Sequence, residues 1–128
     1  MIEVPSFMEA LGLSIEEADE HAARVRMDVP DALMTPFGTV HGGVIATLFD
    51  TGLAIAVTRR LSVADRVATH NLTVTYTAFS REQRLFCHAR VVSLRRSVAV
   101  AEGEVVTLTG ALVAKALGTF GVRRAAPG

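Results

Sequence analysis

Asp50 is a carboxylate set inside a run of mostly apolar residues, Val44-Ile45-Ala46-Thr47-Leu48-Phe49-Asp50-Thr51-Gly52-Leu53-Ala54-Ile55-Ala56-Val57. A lone acid in such a segment costs free energy unless it is paired, hydrogen-bonded or protonated. Read by itself it is as readily a buried group satisfied by backbone or threonine donors as a reacting group. Just upstream stands His41-Gly42-Gly43, which reads as a helix entrance with bare backbone N–H groups. An acid following a glycine-rich helix start is the combination from which a reaction site is built: donors for developing negative charge at one place, a base or nucleophile at another.

These residues need an element to carry them, and residues 41–60 read as one long helix. It opens on glycines and closes on Arg59-Arg60, whose charge suits a helix C-terminus. Helical spacing separates two stripes. Ile45, Leu48, Phe49, Leu53, Ala56 and Val57 supply bulk for packing on a sheet, while Gly43, Ala46, Asp50, Leu53 and Ala54 form a narrower stripe that is small near its start. Small residues one turn before the acid allow another chain or a substrate to come close.

The rest of the chain supplies the sheet. Residues 4–11 read as a short amphipathic helix, with Ser6 and Glu9 as a capping box and Gly12 as its stop. Residues 22–29 alternate Arg24, Arg26 and Asp28 with Val25, Met27 and Val29, the pattern of a half-buried strand ended by Pro30. A loop with Pro36 and Gly38 leads into the long helix. Four strand-like runs follow, at 67–78, 85–94, 97–107 and 111–122, the first with Thr69, Asn71, Thr73, Thr75 and Thr77 on one face. The expected architecture is α+β: a four-strand meander after the long helix, forming one antiparallel sheet that covers it. The tail 123–128 is expected to fray. No linker or internal repeat divides the chain, so residues 1–128 read as a single domain.

Composition narrows the function. Among 128 residues, 13 Lys and Arg balance 13 Asp and Glu, which argues against a nucleic-acid binder with its usual basic excess. Half the residues are hydrophobic and the mean hydropathy is +0.38, an apolar surplus that points to an oligomer interface. The single Cys87 can form neither an internal disulfide nor a cysteine-based zinc site and suits a reducing cytosol; it reads as a core residue. His21, His70 and His88 lack metal-ligand spacing, so no metal is expected. The apolar run 44–57 is too short to span a bilayer, and the N-terminus lacks the basic and apolar regions of a secretion signal.

The segment Thr39-Val40-His41-Gly42-Gly43-Val44-Ile45-Ala46-Thr47-Leu48-Phe49-Asp50 resembles the signature of hotdog-fold acyl-CoA thioesterases, nearest to the phenylacetate-degradation branch. The resemblance continues through Thr69-His70-Asn71-Leu72-Thr73-Val74-Thr75-Tyr76, Arg95-Arg96, residues 98–106 and Leu117-Gly118-Thr119-Phe120. It thus covers about residues 20–122, from the first strand-like run to the last. It implies a sheet wrapped around one central helix, side-by-side pairing of two sheets, assembly as a homodimer or dimer of dimers, and active sites between subunits with no cofactor.

On this resemblance the Gly42 N–H donates to the thioester oxyanion. Asp50 acts as general base or as nucleophile, and the two come from opposite subunits because they lie about two helical turns apart. His41 lies beside the thioester and holds the loop. Gly43 lets the substrate approach the backbone, and Thr69 carries a hydroxyl that orients the attacking water. Arg95 and Arg96 fall near a turn where relatives bind coenzyme A phosphates; guanidinium suits such groups through its bidentate fork. Thr35 departs from the pattern, standing where this branch usually has Asn, fifteen residues before the acid.

Two functions of different class follow. One is an acyl-CoA thioesterase, releasing free acid and coenzyme A in the cytoplasm. The other, motivated by Thr35, is a non-catalytic acyl-CoA-binding hotdog module. A hotdog hydratase is a third and weaker reading, since Ile55 stands where such enzymes commonly carry His five residues after the acid.

Overall fold

A computed structural model describes residues 4–126. In chain order the elements are α1 (Val4–Ala10), β1 (Leu13–Ala18), β2 (Ala23–Asp28), a 3-10 turn (Asp31–Leu33), α2 (Gly42–Thr58), β3 (Arg66–Tyr76), β4 (Arg84–Leu94), β5 (Val98–Thr107) and β6 (Leu112–Arg123). All strands pair antiparallel in one sheet of order β1-β2-β4-β5-β6-β3. The sheet wraps α2, which packs on β2, β3, β4 and β5. This is the hotdog arrangement.

The packing follows from the stripes. Ile45, Leu48, Phe49, Leu53, Ala56 and Val57 are buried together with Gly52, and they meet the inward residues of the sheet, Val25, Met27, Leu85, Cys87, Ala101, Val105 and Phe120. Gly52 is required where α2 crosses β4: a Cβ there would sit 2.7 Å from the Cys87 Sγ. Gly12, at φ 71°, turns the chain out of α1. The Ser6 side chain of the anticipated capping box lies outside the described residues.

Four features depart from the sequence reading. β1 had no counterpart there. Its alternation is broken by a bulge between Ile15 and Glu17, and of its residues only Leu13 is buried, so its pattern is too weak to read locally. The four strands after α2 are not a meander. β4, β5 and β6 run as neighbours, but β3 crosses to the far edge and pairs with β6 over residues 66–76. Thr69 does not share a face with Asn71. A bulge opposes Thr69 to Phe120 and Asn71 to Thr119, leaving His70 as the extra residue and flipping the side-chain parity. The tail is anchored at least to Ala125: Arg124 donates to the Arg95 and Arg96 carbonyls, and the Ala125 N–H donates to Asp65.

Cys87 is fully buried, as its core reading requires. Burial, with a smaller contribution from the Glu104 carboxylate, pushes its thiol up to about 12. A raised thiol pKa means that the unfolded chain loses its proton first. The associated stability is therefore complete below the ordinary thiol value of 9.0 and is lost as pH climbs from there toward about 12. Ellman's reagent is expected to leave the native protein unlabelled at pH 8 and to label it fully in denaturant. Rapid labelling of the native state would contradict this packing.

Candidate active site at the start of the central helix

α2 begins without a Ser, Thr, Asp or Asn cap. His41 serves instead: at φ −61° and ψ 135° it is extended, and its Nδ1 accepts the Gly43 N–H at 2.9 Å. The His41 carbonyl accepts from the Val44 and Ile45 N–H groups. The Gly42 N–H is left over: among the described residues it makes no hydrogen bond. It stands at the positive end of the helix dipole beside a groove of about 510 Å³.

That groove is walled by Thr35, Thr39 and Val40 from the preceding loop, by Gly42 and Ile45 from α2, and by residues 76–80 at the end of β3. None of these side chains is charged. The loop wall is held by Thr35. Its hydroxyl accepts the Phe37 and Thr39 N–H groups at 3.3 Å each and shares a 2.8 Å hydrogen bond with the Thr39 hydroxyl. The β3 wall is fastened by Tyr76, whose hydroxyl donates to the Gly42 carbonyl. Burial pushes the Tyr76 phenol above its usual value. By sequence Tyr76 is one more residue in a strand. Only its contact with Gly42, 34 positions away, singles it out.

Asp50 is on the outward stripe of α2, partly buried, with its Oδ1 accepting the Thr69 hydroxyl at 2.6 Å. The β3 bulge makes this contact by turning Thr69 toward the helix. Asp50 and Thr69 belong to a second concavity, of about 420 Å³, with Phe7, Ala46, Thr47, Thr51 and Leu72. It shares no residue with the Gly42 groove. Eight residues of helix rise separate Gly42 from Asp50 by about 12 Å. One chain therefore presents a donor half and a carboxylate half facing different spaces.

Arg95 and Arg96 are exposed at the β4–β5 turn and line neither concavity. The same corner of the sheet carries Arg66, His70, Ser97 and Arg123 around a shallow hollow, with His70 lying over Gly121. Gly43 is exposed, but its N–H is spent on His41. No cluster of three or more His, Cys, Asp or Glu able to hold a metal occurs among the described residues, and no described helix is long and apolar enough to cross a membrane.

Residues 37–114, which include the helix start, Asp50, all of β3 to β5 and the beginning of β6, match the family described as the thioesterase superfamily. The chain belongs to the thioesterase superfamily. Over 102 residues it is 40% identical to a protein of Halobacterium salinarum named as a candidate esterase, covering 76% of this chain and 67% of that one. A mutant of the phenylacetic acid degradation protein of Thermus thermophilus superposes with a TM-score of 0.81 at 31% identity, covering 94% of this chain and 99% of that one. A phenylacetic acid degradation-related protein of Ralstonia eutropha, titled as a candidate thioesterase, superposes with a TM-score of 0.86 at 28% identity, covering 94% and 92%. Thioesterase-superfamily membership and the esterase relative support a hydrolase role, and the structural neighbours include phenylacetate-degradation proteins of the hotdog type.

Proposed function

We propose that this thioesterase-superfamily chain hydrolyses acyl-CoA thioesters at sites shared by two subunits, each site taking Gly42 from one copy and Asp50 from the other. The observation that carries the reading is the free Gly42 N–H at an uncharged groove, with the carboxylate of the same helix about 12 Å away on a different concavity. Neither half is a complete acyl-transfer site, whereas two copies related by a twofold axis complete two such sites. The long edge strand β3, whose outer side has no partner strand in the sheet, offers the pairing edge for a homodimer or dimer of dimers.

In this reaction the thioester carbonyl enters the groove and its oxygen receives the Gly42 N–H, with His41 alongside. Negative charge developing on that oxygen meets a donor already oriented by the helix, so little reorganisation is needed. Asp50 either removes a proton from the attacking water or attacks the carbonyl itself and is then released by water. Thr69 occupies Oδ1 of Asp50, leaving Oδ2 for that work and a lone pair on Thr69 to orient a water. The carbon–sulfur bond breaks, and the thiolate takes up a proton to leave as coenzyme A. The Arg95–Arg96 turn, with Arg66, His70 and Arg123 beside it, is suited to the phosphates of coenzyme A. Such a substrate belongs to the cytoplasm.

Thr35 keeps a second reading in view. Its hydroxyl is committed to the loop turn and it has no amide donor, which favours an acyl-CoA-binding module without turnover. A panel of aryl-, medium-chain and short-chain acyl-CoAs tested with Ellman's reagent separates the two. Release of free thiol at rates proportional to enzyme is the expected result. Tight binding of intact acyl-CoA with no thiol released would establish the binding module instead.

A further inference from the structure

The Tyr76 contact reaches further than the carbonyl it touches. The Tyr76 hydroxyl donates to the Gly42 oxygen, and the same peptide group presents the Gly43 N–H to the His41 Nδ1. Hydroxyl, peptide and imidazole thus form one directional hydrogen-bond chain, in which each bond polarises the next. An imidazole whose Nδ1 accepts a hydrogen bond carries its proton on Nε2 in the neutral form. The ring is exposed and its Nε2 has no hydrogen-bond partner among the described residues, so the Nε2–H remains available as a donor on the residue that precedes the free Gly42 N–H.

We propose that Tyr76 is a positioning residue that, through the Gly42–Gly43 peptide, holds His41 in the Nε2–H tautomer and aligns the first turn of α2, so that the site offers two donors rather than one. The geometry supports a clamp rather than a mere packing contact. A Cβ built on Gly42 would lie 3.5 Å from the Tyr76 ring carbon and hydroxyl, so the ring stands directly over the helix start whose carbonyl its hydroxyl holds. The bond also ties the end of β3 to the helix start where both border the groove. Loss of the hydroxyl leaves the ring and its packing in place but frees the peptide to tilt, and small misalignments of a reacting group are costly in rate.

The role in turnover rests on the thioesterase reading; the tautomer does not. Two measurements on the full chain therefore test them apart. In 15N-resolved NMR of the wild-type protein above pH 8, the His41 Nδ1 should resonate as an unprotonated nitrogen and Nε2 as a protonated one. In Tyr76→Phe the two shifts should move toward the averaged values of a free imidazole. In the thiol-release assay Tyr76→Phe should lower kcat by about tenfold with KM within twofold and with Tm nearly unchanged. A wild-type His41 protonated on Nδ1, or a Tyr76→Phe protein with unaltered shifts and unaltered kcat, overturns the proposal. A wild-type protein that releases no thiol from any acyl-CoA sinks the hydrolase reading, while the nitrogen shifts still decide whether Tyr76 sets the tautomer.

Discussion

Asp50→Asn is expected to cut kcat on the best acyl-CoA by about a thousandfold, within the range a positioned acid or base contributes, while Tm moves by only a few degrees. Asparagine has nearly the same shape and can still accept the Thr69 hydroxyl through its amide oxygen. Asp50 is also only partly buried, so the exchange leaves no large cavity or stranded charge. What disappears is the negative charge that draws a proton from water or attacks the carbonyl. The measurement is kcat and KM by thiol release, with a thermal melt on the same preparation. An Asp50→Asn protein with full turnover would remove this residue from the chemistry altogether.

Gly42→Pro should be nearly as damaging for a different reason. Proline is favoured at the first residue of a helix, where its missing N–H is not needed for the ladder. His41 already has the extended conformation that a residue before proline adopts, ψ 135°, and the space toward Tyr76 accepts a Cβ at 3.5 Å. The helix is therefore expected to form, yet the free backbone donor is gone. Removing one oxyanion donor lowers kcat by about a hundredfold to a thousandfold. Gly42→Ala, which keeps the N–H, should stay much closer to the wild type; an equal loss in the two variants would assign the effect to bulk rather than to the donor.

Mixing the two dead proteins tests the shared site. Random reassociation of Asp50→Asn with Gly42→Pro makes half of the dimers mixed, and each mixed dimer has one site with both defects and one with neither. Activity should return to about a quarter of the wild-type value if each site draws on both copies of a twofold dimer. If both residues served one site within a single chain, mixing would restore nothing.

Much of this molecule can be read along the chain because it is periodic and local. The buried stripe of α2 from Ile45 to Val57 follows from helical spacing, and β2 and the runs forming β4, β5 and β6 follow from alternation, because a side chain's face is set by its neighbours in sequence. The acid and the glycine-rich helix start are legible for the same reason, since both lie on one helix. Other features have no local signal. The place of β3 beside β6 depends on a crossover that strand patterns do not encode. The half-exposed strand β1 hides behind its bulge. The anchoring of Arg124 depends on backbone carbonyls contributed by a distant turn.

The sequence by itself determined the α+β layout and the central helix, and through its resemblance to a known family the hotdog class and the expectation that Asp50 and Gly42 act on a carbonyl. Only the tertiary structure decided which neighbours they touch. The His70 bulge turns Thr69 onto Asp50, Thr35 is committed to its own loop, the Gly43 N–H is spent on His41, and Tyr76 reaches Gly42 across 34 residues. These outcomes depend on register and on hydrogen bonds between segments far apart in the chain, which side-chain spacing cannot carry.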